Sequence, residues 1–303
     1  MLAVSLYSRL RRDISAAYDR LEQTPVERVT TAHGPIEVAI RGEGPPALAL
    51  HGIVGGYDQG LLFANGHLRD DYRLIAPSRF GYLGSTTPDE PSILDQAQAY
   101  ADLLDALAID RTVVLATSAG ATSALAFSLE HPERCTALVL VAPNAPGEVD
   151  VAPPPRPIAN VLYHSDFLFW LMTAHFRSSL TSMMGVPKGF PMTPDHEAAV
   201  DQVIDTVLPA APRADGALFD LYVSNPAVHA LPLDKIDVPV LIVNALDDPL
   251  TLLRNAEAMA ACLSNARLVT IPDGGHMMLG HNEVVRAEIA SFLGETASQE
   301  AGR

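Results

Sequence analysis

A serine set among small residues at the end of an apolar run is the first group in this chain equipped for covalent chemistry. It is Ser118, in Val113-Val114-Leu115-Ala116-Thr117-Ser118-Ala119-Gly120-Ala121, and the helix-forming stretch Thr122–Leu129 follows it. A hydroxyl held out at the C-terminal end of a strand needs a very tight strand-to-helix turn. Bulky side chains two before, two after or three after the serine would strike the neighbouring strand or helix, and Ala116, Gly120 and Ala121 avoid this. The helix N-terminus beyond the turn offers unpaired N–H groups and a positive dipole end, both suited to an oxyanion. Taken alone, these nine residues also fit a serine that merely caps a helix. The rest of the chain has to decide.

A serine hydroxyl is a poor nucleophile at neutral pH. It needs an imidazole to take its proton, and the imidazole needs a carboxylate to hold its tautomer and stabilise its cation. Both types recur at the ends of other apolar runs. Arg267–Ile271 leads into Pro272-Asp273-Gly274-Gly275-His276, where the glycines let the loop swing the ring inward. The run 238–243 leads into Asn244-Ala245-Leu246-Asp247-Asp248-Pro249, and Ala47–Leu50 into His51-Gly52-Ile53-Val54-Gly55-Gly56. In the last of these, glycines allow close backbone approach, and the N–H of Ile53 can join that of Ala119 as a two-donor oxyanion hole. The order along the chain is serine, acid, histidine, each after its own strand. Other candidates read as structural: His281 caps or packs the last helix, His51 braces its loop, Arg79 is an ion-pair partner, and Ser123 and Ser128 lie within a helix.

The elements that must position these groups follow from hydrophobic pattern. Ala47–Leu50, 74–76, 112–116, 137–141, 238–243 and Arg267–Ile271 are short apolar runs without polar alternation, as in strands buried on both faces of a mostly parallel sheet. Helical stretches separate several of them, notably 92–107, where Ser92 and Asp95 make a capping-box start. Such alternation predicts an α/β fold, a doubly wound sheet with its ligand site at the strand C-termini. Ahead of it, 28–31 and 36–41 form a hairpin about Gly34-Pro35, and residues 5–23 form an amphipathic helix. The alternation lapses from Asn144 to about Lys235, a stretch with a proline-rich entry and many aromatic and methionine residues. It reads as a helical cap inserted after the sixth strand, with most of its large apolar residues packing its own core and two or three lining an acyl pocket. The expected division is an N-terminal helix (1–27), a core (28–143 and 236–295) and a cap (144–235). The tail from Glu295 to Arg303 reads as disordered.

Composition bounds the partners. The 303 residues are 48% hydrophobic and carry a formal charge of −16, which argues against nucleic acid or an anionic membrane as partner. The two cysteines, Cys135 and Cys262, have no metal-type spacing, so neither a disulfide framework, a metal nor a cofactor is expected. Near the start, Arg9, Arg11 and Arg12 follow the apolar residues rather than precede them, unlike a signal peptide, and no apolar run is long enough for a membrane span. The expected location is cytoplasmic.

With these motifs in place, the sequence resembles the α/β-hydrolase superfamily, in particular the group with a helical cap after the sixth core strand. The resemblance runs from about Arg28 to Leu293 and rests on His51-Gly52, on Ala116-Thr117-Ser118-Ala119-Gly120-Ala121, on Asp248 and on Gly275-His276-Met277-Met278-Leu279-Gly280-His281. It implies a Ser-His-Asp triad of Ser118, His276 and Asp248 acting through an acyl-enzyme. In the family the acid commonly lies three residues after a glycine and four before a proline. Ala245 and Leu252 occupy those places here, which points to Asp248 and leaves Asp247 open. The expected substrate is a carboxylic ester or lactone of an apolar small molecule, because the cap stretch offers no clamp for a charged or peptidic group. Cap-bearing relatives hydrolyse carbon–carbon bonds of vinylogous diketones with the same triad, but usually carry Ser-Met-Gly-Gly where this chain has Ser118-Ala119-Gly120-Ala121. Perhydrolysis is a further relative's activity, against which the apolar cap argues. An aspartate nucleophile would be needed for dehalogenation or epoxide opening. Some proteins of this fold serve as ligand receptors with little turnover, and turnover rate separates that class from an enzyme.

Overall fold

The computed structural model describes residues 2–148 and 152–302, with the side chains of 2–5, 177, 178 and 301 set aside. Strands β1 (Glu27–Thr31), β2 (Gly34–Arg41), β3 (Pro46–Leu50), β4 (Arg73–Pro77), β5 (Thr112–Ser118), β6 (Cys135–Pro143), β7 (Val240–Ala245) and β8 (Ala266–Ile271) form one sheet. Its order is β1-β2-β4-β3-β5-β6-β7-β8. Pairings of β1 with β2 and β2 with β4 are antiparallel, and the remaining five are parallel. The hairpin turn falls at Ala32-His33, slightly before the expected Gly34-Pro35, since Thr31 pairs with Gly34 and the latter takes φ +102°. Because the chain passes from β3 to β4 on one side and returns to β5 on the other, β3 and β5 flank a topological switch point, where open sheets of this kind leave a crevice.

Helices are α1 (Leu2–Glu22), α2 (Tyr57–His67), α3 (Ile93–Ala106), α4 (Gly120–Glu130), α5 (Arg156–Tyr163), α6 (Asp166–His175), α7 (Arg177–Met183), α8 (Pro194–Thr206), α9 (Ala214–Phe219), α10 (Asn225–Ala227), α11 (Leu253–Cys262) and α12 (Asn282–Ala301). The predicted capping box of α3 is formed, with Ser92 Oγ accepting from Asp95 N and the Asp95 carboxylate accepting from Ser92 N. Leu48, Leu50, Val114, Ala116, Leu138 and Leu140 pack beneath α3, α4 and α11. On the other face, Ala47, Ala49, Leu115, Val139 and Val141 pack against α2 and α12. This two-sided burial explains why the strand runs lack polar alternation. At roughly 1.5–3 kcal/mol per fully buried large aliphatic side chain, it is what holds the strand ends in register.

Between β6 and β7 the chain leaves the sheet for the helices α5 to α10. Phe169 and Trp170 of α6 pack with Ala17 of α1 and with Val207 and Leu208, and Asp13 of α1 accepts a 3.0 Å hydrogen bond from Trp170 Nε1. The first helix is thereby fastened to the inserted segment. One expectation is overturned. The tail from Glu295 is not irregular: α12 continues to Ala301, with Thr296 buried and Glu295 paired to Arg267. Polar composition concealed a helix whose one face still docks on the sheet.

Candidate functional site

Ser118 ends β5 with φ +51°, a left-handed conformation that a non-glycine residue adopts only under constraint. Ala119 then takes helical angles and caps α4. The neighbours are held tightly enough to require small residues. A Cβ on Gly120 would lie 2.5 Å from His51 O and 2.7 Å from Leu50 O, and Ala116 and Ala121 are fully buried. Across the switch point a Cβ on Gly52 would lie 3.2 Å from Ser118 Cβ, so the β3 loop touches the turn that carries the hydroxyl.

His276 sits in a short turn after β8, entered through Gly274 (φ +100°) and Gly275 (φ +61°). Its Nδ1 lies 2.8 Å from Asp248 Oδ2. Since a carboxylate oxygen only accepts, Nδ1 carries the proton and Nε2 is left as the free base position. Asp248 is itself held by the backbone N–H groups of Leu250 (2.8 Å) and Thr251 (3.0 Å) and by the Thr251 hydroxyl (2.5 Å). Burial works against ionisation of this carboxyl, but the charge and hydrogen bond of His276 together with the Thr251 donors outweigh it and hold the pKa below the usual value. Asp247 faces elsewhere, accepting from Gly275 N at 2.9 Å. Neighbouring acids thus divide the work: one meets the ring, the other pins the loop beneath it.

Four carbonyls of the loop 51–56, those of Gly52, Val54, Gly55 and Gly56, accept hydrogen bonds. His51 Nε2 accepts from Arg79 N at 3.0 Å, so its Nδ1 bears the proton donated to Gly52 O at 2.7 Å. Burial and the Arg79 cation push the His51 pKa well down, and the ring is a neutral brace. Gln59 Nε2 donates to Val54 O (3.1 Å), and Arg213 donates to Gly55 O (2.6 Å). Among the described residues the N–H groups of Ile53 and Ala119 donate to no protein acceptor.

Ser118, His276, His51, Gly52 and Ile53 line one cavity of about 280 Å³. Its walls are mainly apolar, with Phe63, Val141, Met183, Met184, Val203 and Leu250, and among the described residues no Asp, Glu, Lys or Arg lines it. Of the aromatic and methionine residues expected in the inserted segment, Met183 and Met184 reach the cavity; Phe169 and Trp170 pack with α1, and Phe167 and Phe176 are exposed. Among the described residues, Ser118 Oγ and His276 Nε2 have no hydrogen-bond partner, each other included, and both residues line this cavity. Such contacts are commonly long before substrate arrives and tighten in the Michaelis complex. A larger, more open groove of about 570 Å³ lies between the loop after Thr87 and helices α5 and α9, and contains none of these groups.

Of the remaining candidates, His281 is the residue before α12, but its ring bonds Asp273 rather than the helix. Ser123 donates to Gly120 O and Ser128 to Leu125 O, both within α4. Arg79 pairs with Asp220 while fully buried. Four contributors carried no signal in the sequence: Thr251, Asp220, Arg213 and Asp58. Each acts through a partner distant in the chain or through an ordinary loop hydroxyl.

An eight-stranded, largely parallel sheet, a strained serine turn and a histidine–carboxylate pair at the strand ends together define a class. The model of the alpha/beta hydrolase family matches residues 47–288, and the chain belongs to that family. Among curated relatives, it is 28% identical over 269 residues to the poly(3-hydroxyalkanoate) depolymerase of Ectopseudomonas oleovorans, covering 85% of this chain and 88% of that one. It is 32% identical over 127 residues to the 2-hydroxy-6-oxo-6-phenylhexa-2,4-dienoate hydrolase of Comamonas testosteroni, covering 40% and 44% of the two chains. Among solved structures, an alpha/beta hydrolase fold protein from Nakamurella multipartita superposes with a TM-score of 0.72 at 27% identity, covering 89% of this chain and 99% of that one. No helix among the described residues is long and apolar enough to cross a membrane, and no cluster of metal-ligating side chains occurs among them.

Proposed function

We propose that the chain is a serine hydrolase of neutral, apolar carboxylic esters or lactones, working through an acyl-enzyme. The observation that carries this reading is the single cavity shared by Ser118 and by His276, whose Nδ1 is tied to Asp248. In this mechanism Ser118 Oγ attacks the ester carbonyl while His276 Nε2 takes its proton. The Ile53 and Ala119 N–H groups receive the negative oxygen of the tetrahedral intermediate. His276 then protonates the departing alcohol, and a water deprotonated by the same nitrogen releases the acid. Asp248 keeps the ring in the required tautomer throughout. Residues 144–235 act as a cap over a core of 28–143 and 236–295, with Met183 and Met184 forming an adaptable wall for the acyl chain.

The uncharged lining supports neutral substrates. A dienoate, the substrate class in the name of one relative, carries a carboxylate, and burying it in this cavity without a cation would be costly. A poly(3-hydroxyalkanoate), by contrast, is an uncharged polyester along its length. The test is a series of p-nitrophenyl esters of increasing acyl length, run beside a dienoate on the wild type and on Ser118→Ala. Turnover of neutral esters that Ser118→Ala abolishes is expected. Turnover of the dienoate in preference to every ester would overturn the substrate class, and full activity in Ser118→Ala would overturn the nucleophile.

A further inference from the structure

The loop that offers the Ile53 N–H is held by an ion pair that reaches in from the inserted segment. Arg79, fully buried after β4, forms a two-pronged bond to Asp220: NH1 to Oδ1 at 2.6 Å and NH2 to Oδ2 at 2.5 Å. Asp220 is also fully buried, belongs to the π-helical turn Asp220–Ser224 between β6 and β7, and accepts a further hydrogen bond from the Tyr82 hydroxyl. The same NH2 of Arg79 donates to Gly52 O at 3.1 Å, where it joins His51 Nδ1. Two donors therefore fix the direction of one carbonyl. The peptide plane does the rest. Leu208-Pro209 is the cis bond among the described residues, so the Gly52–Ile53 peptide is trans, and its N–H must point opposite to its C=O. With the carbonyl drawn toward Arg79 and His51, the Ile53 N–H is turned away from them, and Gly52, Ile53 and Ser118 line the same cavity.

We propose that Arg79, anchored by Asp220, is the positioning residue of the oxyanion donor: the pair aims the Ile53 N–H by holding the carbonyl of Gly52. The proposal rests on the serine-hydrolase reading above. It makes the seating of the inserted segment a condition for stabilising the transition state, since Asp220 comes from that segment and Gly52 from the core. A guanidinium suits the task because its rigid planar fork takes both carboxylate oxygens and leaves a further N–H in fixed direction for the carbonyl, whereas the rotatable donors of a compact ammonium impose no such geometry.

The test uses Arg79→Lys, which keeps a cation opposite Asp220 but loses the second arm, and Asp220→Asn, which keeps the shape but loses the charge. Rates are expressed per active site titrated with a fluorophosphonate, so that misfolded protein does not count. We expect kcat for a p-nitrophenyl ester to fall by ~10- to 100-fold in both, since loss of one oxyanion donor costs about 10²–10³, with KM within twofold. Affinity for an alkyl trifluoromethyl ketone, whose adduct with Ser118 carries a negative oxygen, should weaken in parallel with kcat. The pH profile should keep its wild-type midpoint, because His276 and Asp248 are untouched. Wild-type kcat per titrated site in both variants would overturn the proposal, and so would a rise in KM alone. Failure of both variants to give folded protein would likewise overturn it, marking the pair as a core brace only. Ser118→Ala in the same assay separates the two levels: if it retains activity the parent reading falls, whereas if it is dead the outcome for Arg79 and Asp220 stands on its own.

Discussion

Nδ1 of His276 sits 2.8 Å from Oδ2 of Asp248, and that carboxylate is fully occupied on its other sides by Thr251 and Leu250. The ring therefore has one orientation and one tautomer. Asp248→Asn should replace an acceptor with an amide that favours the wrong tautomer, lowering kcat by about four orders of magnitude. Asp247→Asn keeps an oxygen for the Gly275 N–H and should change kcat by no more than a few-fold. Steady-state kinetics on the two variants checks both, and a reversed ranking would exchange their roles.

Gly120 tests the turn itself. A methyl group there would meet two backbone oxygens at 2.5 and 2.7 Å, and backbone cannot rotate out of the way as a side chain can. Gly120→Ala should cost about 1–3 kcal/mol in urea unfolding, the range for overpacking, and lower activity by displacing Ser118 from its φ of +51°.

The sheet and the order of chemical groups along the chain were legible because two-sided burial leaves a plain mark: runs such as Ala47–Leu50 with no polar alternation, each ending in a loop rich in glycine or small residues. Spacing pointed to Asp248 and left Asp247 open, because adjacent acids differ mainly in which way the loop turns them; Asp248 bonds the His276 ring and Asp247 the Gly275 N–H. Asp220 and Arg213 were unreadable for a different reason. A buried ion pair looks like two ordinary charged residues until the fold brings them together, here across 141 and 155 positions. The C-terminal tail misled in the opposite sense, because its polar residues cover a helix face that Thr296 anchors.

Arg213 should prove a major stabilising residue. It is fully buried, bonds Asp58 through two nitrogens (3.0 and 2.7 Å), and also donates to Gly55 O and Pro209 O. Arg213→Met would leave Asp58 short of its partner in a largely buried place. The expected loss is about 3–5 kcal/mol, read by urea unfolding, the cost of breaking such a pair from one side. A change under 1 kcal/mol would contradict this account of the junction.

His51 gives the fold an acid sensitivity with a definite sign. Its folded pKa is depressed by burial and by Arg79, while the unfolded value is about 6.5. Above pH 6.5 neither state binds the proton, so stability does not depend on this group. Below it the unfolded chain gains a proton that the folded one refuses, and stability falls by up to about 1.4 kcal/mol per pH unit. His51→Gln should flatten the stability profile between pH 6.5 and 5 by that slope. An unchanged slope in urea titrations at these pH values would show that the ring is not held neutral.

Everything chemical depends on Ser118 becoming acylated. The direct measurement is mass spectrometry of the protein quenched within milliseconds of mixing with a p-nitrophenyl ester, followed by digestion to locate the adduct. One acyl increment on the peptide containing Ser118, absent from Ser118→Ala, is the predicted result. Label on another residue, or hydrolysis that continues undiminished in Ser118→Ala, would contradict it.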